Sequence, residues 1–326
     1  MHGYKNGVNA YNNMFKLNKN LLLLPEYLFD NGYYTRGDML GDAVLSKRGF
    51  DKITVHDENA MNSKELLEYH NEIITEVNQE EKPFFIFLQY SKIHTGCVTN
   101  VAKKFGDLDE EYFTPNQRKI NLVNFSSYMD DAGNYAGGLL KKLRDLSIID
   151  ETLVIFFSDH GTSLGERFGE KMYGSFVYDY TIKTFFHFLN PLFPKLKIHN
   201  QIRAIDIMPT ILNFLGIKQR KDLLKIQGKS LYDFIDYYSK NLFINFFRKA
   251  PKDRLAFVET GGLGGHWPSP KTPNVKCIRT SKWKLIHNLN PDTFELYNLE
   301  KDKQELNNLA GKGLKIERQL KNIYFK

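Results

Sequence analysis

Ser158-Asp159-His160-Gly161 sets a carboxylate and an imidazole side by side directly after the apolar run Leu153-Val154-Ile155-Phe156-Phe157. Such a pair can ligate a cation or do acid–base work. Glycines follow at positions 161, 165, 169 and 174, with Lys171 among them. A second apolar run, Phe84-Phe85-Ile86-Phe87-Leu88, leads into Gln89-Tyr90-Ser91-Lys92-Ile93-His94, so a second histidine follows a second run. Taken singly, each residue has a plainer reading. An Asp-His dipeptide serves as a loop cap and a surface histidine, Lys171 as a solvated lysine, and His266 in Gly264-Gly265-His266-Trp267 as a turn residue beside an aromatic anchor. What raises Asp159, His160 and His94 above that reading is position. In an open parallel sheet, ligands bind beyond the carboxyl ends of the strands.

The elements that must position these residues are legible in the periodicity. Asn62-Ser63-Lys64-Glu65 has the form of a capping box, and Leu66, Leu67, His70, Ile73, Ile74 and Val77 then recur at helical spacing. Pro83 ends the connection, and the run 84–88 reads as a strand buried on both faces. The pattern repeats: Met129, Ala132, Ala136, Leu139, Leu140, Leu143 and Leu146 mark the apolar side of a second helix, and 153–157 reads as a second buried strand. Helix, strand, helix, strand predicts a parallel sheet with right-handed crossovers. A third helix is expected over residues 205–215, stopped by Gly216. From Arg254 onward, short runs at 255–258, 275–279, 283–287 and 294–297 alternate with Gly-, Pro- and Asn-rich segments, which predicts antiparallel strands and a subdomain boundary between about 230 and 251.

Composition narrows the function classes. The 326 residues are 42% hydrophobic and 14% aromatic, enough for one large α/β domain or two ordinary ones and too apolar for a disordered chain. No apolar run approaches the roughly 18 residues that span a bilayer, and MHGYKNGVNAYNN has the form of no signal peptide. Cys97 and Cys277 lack CxxC spacing, so both are expected as plain thiols. The net charge of +7 is dilute, densest at Lys218, Arg220, Lys221, Lys225 and Lys229, and no nucleic-acid motif accompanies it. A solvated lysine-rich surface accounts for it, and no nucleic-acid partner is expected.

TLVIFFSDHGTSLGERFGEKMYG resembles the segment of sulfatases, within the alkaline-phosphatase superfamily, in which a strand ends in an Asp-Asn or Asp-His metal pair before a Gly-rich loop with a sulfate-binding lysine. PFFIFLQYSKIH resembles the strand that precedes a substrate-contacting histidine, and AIDIMPTILNFLGI resembles the family's D-x-x-P-T-x-L-x-x-x-G helix. CIRTSKWKLI with FELYNLEKDKQELNNLA resembles its C-terminal sheet. These ordered matches run from about residue 31 to 310.

The resemblance implies an α/β fold with a mostly parallel central sheet flanked by helices and a small C-terminal antiparallel sheet. It divides the chain into a sulfatase-like domain over 1–240 and an antiparallel-sheet subdomain over 241–326. It further implies that Asp159 and His160 ligate a divalent cation, Ca²⁺ first with Mg²⁺ or Mn²⁺ as alternatives, and that Lys171 and His94 contact the sulfuryl or phosphoryl oxygens. The implied activity is hydrolysis of a small-molecule or glycan sulfate ester. Two other readings stay open: a noncatalytic relative that binds anionic ligands or a partner, and a phosphodiesterase, phosphonate monoester hydrolase or phosphotransferase of the same superfamily. His160, where arylsulfatases tend to carry Asn, resembles that second branch. The sequence departs from the family pattern in having neither a paired-aspartate strand near its start nor a C-x-P-x-R or S-x-P-x-R nucleophile motif, and its G-K-x-x-H stretch is replaced by Thr35-Arg36-Gly37-Asp38-Met39-Leu40. MHGYKNGVNAYNN resembles the segment just after that motif, so the chain is expected to lack the N-terminal catalytic segment, to bind metal weakly through two protein ligands, and to be incomplete as an enzyme. Its compartment stays open for the same reason.

Overall fold

The computed structural model describes residues 8–9, 16–17, 20–40, 46–99, 110–220, 225–240, 248–260 and 275–325. His266 and Lys221 lie outside them. Strands β1 (Val8–Asn9) and β2 (Lys16–Leu17) form a two-residue antiparallel ladder. Helix α1 (Leu24–Asp30) leads into β3 (Tyr34–Met39), which takes the centre of a parallel sheet between β4 (Lys52–Val55) and β5 (Phe84–Leu88). Strand β3 had no apolar signature, because its sequence YTRGDM is mostly polar. It is nonetheless buried, and its polar groups find partners. Thr35 pairs with Asp51, Arg36 with Thr54, and Asp38 with two histidines.

Helix α2 (Ser63–Val77) begins where the capping box predicts. Asn62 accepts from Lys64 N and Glu65 N, and Glu65 reaches back to Asn62 N at 2.7 Å. Its buried face is Leu66, His70, Ile73, Ile74 and Val77. Helix α3 (Lys92–Thr99) follows β5, and α4 (Pro115–Asp145) is far longer than its apolar stripe suggested. Thr114 caps α4, and Pro115 occupies its first turn, where a missing N–H costs nothing. Tyr135, Leu139 and Leu143 bury its inner face, whereas Met129, expected on that face, is exposed. Helices α2 and α4 approach closely because Gly138 has no side chain. A Cβ there would lie 2.4 Å from Leu67.

Strand β6 (Val154–Phe157) departs from expectation. It pairs antiparallel with β7 (Phe186–Leu189), so among the described residues parallel pairing is confined to β4, β3 and β5. The chain after β6 doubles back through the Gly-rich segment and the short α5 (Asp179–Ile182), which returns it as an antiparallel neighbour. Strands β5 and β6 are also half-buried rather than sealed on both faces. Ile86 and Leu88 of β5 and Val154 and Phe156 of β6 pack on the same α2–α4 cluster, so one helical layer supports both sheets.

Helix α6 (Ile207–Phe214), entered through a short 3₁₀ turn at Ala204–Asp206, ends at Gly216 with φ +69°. The D-x-x-P-T motif proves structural. Buried Asp206 accepts from Arg203, Lys229 N and Arg254, while Thr210 accepts from Leu231 N. Helix α7 (Tyr232–Ser239) then precedes a four-stranded antiparallel sheet in the order β11 (Asp292–Asn298), β10 (Trp283–Leu289), β9 (Val275–Arg279), β8 (Ala256–Thr260). All four strands sit where the sequence predicts them. Helix α8 (Lys315–Tyr324) covers one face through Leu320, packed on Ile278, Leu285 and Leu296.

Candidate active site

Asp159 and His160 follow β6 directly, on the turn into the Gly-rich segment. Gly161 fixes the path of that turn. Its N–H donates to Thr181 O at 2.7 Å, and a Cβ would lie 2.2 Å from Tyr180 O, so no side chain fits without moving the backbone. The His160 ring is oriented by its own loop. Nδ1 lies 2.7 Å from Gly161 O, and because a carbonyl oxygen only accepts, Nδ1 carries the proton and Nε2 keeps its lone pair. Nε2 is 3.6 Å from Asp159 Oδ2, and the His160 and Asp159 side chains are 38% and 79% exposed, so both reach solvent. A ring N–H tied to a backbone carbonyl is the support a metal-bound histidine needs. The pair therefore fits a divalent cation as two of its ligands.

Lys171 and Tyr173 flank Met172, a buried residue held at φ +74°, a conformation a branched or bulky side chain adopts only when its surroundings impose it. Three contacts impose it here. Ser163 N donates to Met172 O, the Met172 side chain packs on Tyr112 with Cys97 and Phe113 beside it, and buried Glu170 accepts from Ser175 N and Phe176 N at 3.0 and 2.8 Å. Burial raises the Glu170 pKa against those hydrogen bonds. The segment is tied further to α4, where Asn121 donates to Leu164 O at 3.0 Å, and to Tyr112, which donates to Ser163 O at 3.1 Å. As a result Lys171 Nζ stands 5.7 Å from the Tyr112 ring centroid.

Tyr173 joins the histidines. Its ring centroid is 3.9 Å from that of His160 and 6.3 Å from that of His94, which projects from α3. Helix α3 can sit there because Gly96 has no Cβ to meet the Tyr128 ring of α4, 2.7 Å away. Burial raises the Tyr173 pKa, with Asp159 and Glu58 adding to the shift, so the phenol is neutral near pH 7. His94, His160 and Asp159 thus share one aromatic-bridged rim, and Lys171 lies two residues from the bridging Tyr173. Sequence reasoning missed Tyr173, Tyr112 and Glu170. A tyrosine inside a Gly-rich loop carries no periodic signal, although its spacing of two from Lys171 was available.

The C-terminal sheet anchors the far end of this segment. Lys284, fully buried, contacts Asp179 at 2.6 Å and Glu305 at 2.7 Å, and donates to Val177 O at 3.0 Å. Arg279 grips Asp179 bidentately at 2.8 and 2.6 Å. Burial alone would raise the Asp179 pKa. Arg279 and Lys284 overcome it and hold the carboxyl well below the usual range.

A second group of ligand-type residues went unnoticed in the sequence. Asp38, His56 and His70 are all buried, and one donor atom of each lies within 4.8 Å of the others. Burial would raise the Asp38 pKa, but hydrogen bonds from His56, His70 and Thr54 hold the carboxyl well below its ordinary range.

The sulfatase family profile matches residues 2–217. An N-acetylglucosamine-6-O-sulfatase of Bacteroides thetaiotaomicron is 30% identical over 199 residues, which cover 56% of this chain and 31% of that protein. The chain spans about a third of the length of the curated relatives it matches. Among solved structures, one in complex with its substrate D-glucosamine-2-N,6-O-disulfate aligns at a TM-score of 0.67 and 18% identity, covering 98% of this chain and 84% of that one. The phosphonate monoester hydrolase of Agrobacterium radiobacter aligns at 0.69 and 14% identity, covering 99% and 82%. At those identities the structures speak for the fold alone, an α/β sulfatase-like architecture. With two thirds of its length matched by the family profile, the chain belongs to the sulfatase family.

Proposed function

We propose that this chain carries the cation-binding pair and the oxyanion contacts of a site that hydrolyses a sulfate ester borne by a glycan or another small molecule. The observation that carries the reading is the orientation of the His160 ring. With Nδ1 bound to Gly161 O, Nε2 and Asp159 Oδ2 present two donors 3.6 Å apart toward solvent. A divalent cation bound there, Ca²⁺ in the first instance, would draw charge from the nonbridging sulfuryl oxygens. Asp159 and His160 are the residues that would hold it.

The chain's own residues do the rest. Lys171 brings a fixed positive charge to oxygens that become more negative as the ester bond breaks, and His94 offers a ring N–H to the same oxygens. Tyr173 packs its ring, tilted, against both His160 and His94 and so helps hold the two imidazoles in place. The family relationship, and the name of the N-acetylglucosamine-6-O-sulfatase relative, support a sulfated sugar as the substrate class. In this reading residues 1–240 form the ester-site domain and 241–326 an antiparallel-sheet subdomain that braces it.

The test is binding and hydrolysis of matched aryl sulfate and aryl phosphate esters by the purified chain with Ca²⁺, Mg²⁺ or Mn²⁺, beside Asp159→Ala. Metal-dependent binding of the sulfate ester, lost in Asp159→Ala, is expected, with little turnover because the sequence carries no C-x-P-x-R or S-x-P-x-R nucleophile motif. Preference for the phosphate ester, or binding indifferent to Asp159, would overturn the reading.

A further inference from the structure

Two imidazoles and a carboxylate converge on one point inside the protein, in a cluster that the ester site does not use. Asp38 lies near the carboxyl end of β3, His56 directly follows β4, and His70 lies on the buried face of α2. Asp38 Oδ2 is 2.5 Å from His56 Nδ1 and 2.9 Å from His70 Nε2, and the three side chains are between 0% and 4% exposed. Both rings meet the same carboxylate oxygen, so one donor atom of each residue faces a common buried point within 4.8 Å of the others. We propose that Asp38, His56 and His70 form a buried transition-metal site of the zinc class, with three protein ligands and a fourth position left to a water, that cross-links β3, β4 and α2.

The donor chemistry selects the metal. Two neutral nitrogens and one carboxylate oxygen are too few oxygens for Ca²⁺ or Mg²⁺ and match the ligands of Zn²⁺. The surrounding partners are those that orient metal ligands. Tyr135 OH is hydrogen-bonded to His70 Nδ1, Thr54 donates to Asp38 Oδ1, and Tyr69 OH is 3.4 Å from that same oxygen. Proton bookkeeping closes without release. When Nε2 of His70 takes the metal its proton moves to Nδ1, where the Tyr135 oxygen accepts it, while His56 shifts its proton from Nδ1 to Nε2, a buried atom with no hydrogen-bond partner among the described residues. A tetrahedral ion with bonds of about 2.0–2.1 Å holds its donors about 3.3 Å apart, so His56 and Asp38 separate by under about 1 Å on loading. Buried Arg36 opposes the added charge, and Glu76, 3.9 Å from its Nε, offsets it. Because the site is sealed, the ion enters as the protein folds or through local opening, and it leaves slowly.

The experiment uses the full chain refolded with Zn²⁺, dialysed against buffer, and assayed for zinc by elemental analysis, with Co²⁺ substitution read by its visible absorption. Three proteins are compared: wild type, the double variant Asp159→Ala/His160→Ala, and Tyr135→Phe, which preserves the ring and removes only the hydroxyl on His70. One zinc per chain is expected in wild type and in the double variant, with a tetrahedral Co²⁺ spectrum. Zinc affinity should fall about 10- to 100-fold in Tyr135→Phe. Folded wild-type protein that holds no zinc overturns the proposal. Zinc that disappears in the double variant, or affinity unchanged in Tyr135→Phe, places the ion elsewhere and overturns it equally. Neither outcome bears on the ester site, whose own test reads ester binding and hydrolysis.

Discussion

Replacing Lys284 by Met removes the one cation that, among the described residues, touches both Asp179 and Glu305, while keeping most of the side-chain volume. The ammonium is fully buried and sits 2.6 Å from Asp179 and 2.7 Å from Glu305. Breaking a buried ion pair on one side costs about 3–5 kcal/mol, because a charge is left without compensation. Asp179 keeps Arg279 on both carboxylate oxygens, so the loss falls mainly on Glu305, whose pKa burial already raises and Lys284 restrains. A figure near the low end, about 3 kcal/mol, follows. The sign of its pH dependence follows as well. Without Lys284 the folded-state pKa of Glu305 rises further above its unfolded value of about 4.3, so protonation favours the folded form. The deficit of the variant should therefore shrink as pH falls from 7.5 toward 5. Urea unfolding of wild type and Lys284→Met at both pH values is the assay. A cost below about 1 kcal/mol at pH 7.5, or a deficit that grows on acidification, would refute the account of this network.

Gly161→Ala should destabilise the protein by about 1–3 kcal/mol, the cost of a forced overlap, and should also weaken Ca²⁺ binding, because the turn holding His160 must move. Gly228→Ala, whose Cβ would meet Ile205 O at 1.7 Å in another part of the fold, is the control: urea unfolding should show a comparable or larger loss while calorimetry shows Ca²⁺ affinity retained. Asn62→Ala removes the acceptor of the α2 capping box and should cost about 1 kcal/mol in thermal or urea unfolding, with no change in metal binding. In wild type, Asp179 has a folded-state pKa depressed below its unfolded value of about 3.9, so its contribution is present above that pH and is lost as pH falls through the folded-state value. Asp179→Asn should flatten that acid limb in a pH series of urea midpoints.

The elements that the sequence disclosed are those whose burial is apolar and periodic. Helix α2 announced itself through Asn62, Glu65 and a stripe from Leu66 to Val77, and the four C-terminal strands through short apolar runs between turn residues. Strand β3 stayed hidden because Thr35, Arg36 and Asp38 are buried against polar partners from elsewhere in the fold, Asp51, Thr54, His56 and His70, a condition no hydropathy pattern records. Partners explain β6 in the same way. Its apolar run was plain, but whether it pairs parallel or antiparallel depends on where the chain returns, and β7 begins 29 residues after β6 ends. At the rim, Asp159, His160, Lys171 and His94 were visible as residue types after two apolar runs. Tyr173 was not, since its role arises from the left-handed turn at Met172, which positions Lys171 and Tyr173 around it. His70 was read as one more residue of an apolar helix face, and its proximity to Asp38 and His56 is set by tertiary packing alone.

The central claim, that Asp159 and His160 hold a cation which helps bind a sulfate ester, is tested most directly by calorimetric titration of the chain with Ca²⁺, followed by titration of the loaded protein with an aryl sulfate. The account predicts Ca²⁺ binding that disappears in both Asp159→Ala and His160→Ala, with ester binding that depends on Ca²⁺ and weakens in Lys171→Ala. Ca²⁺ and ester affinities unchanged by all three substitutions would contradict it.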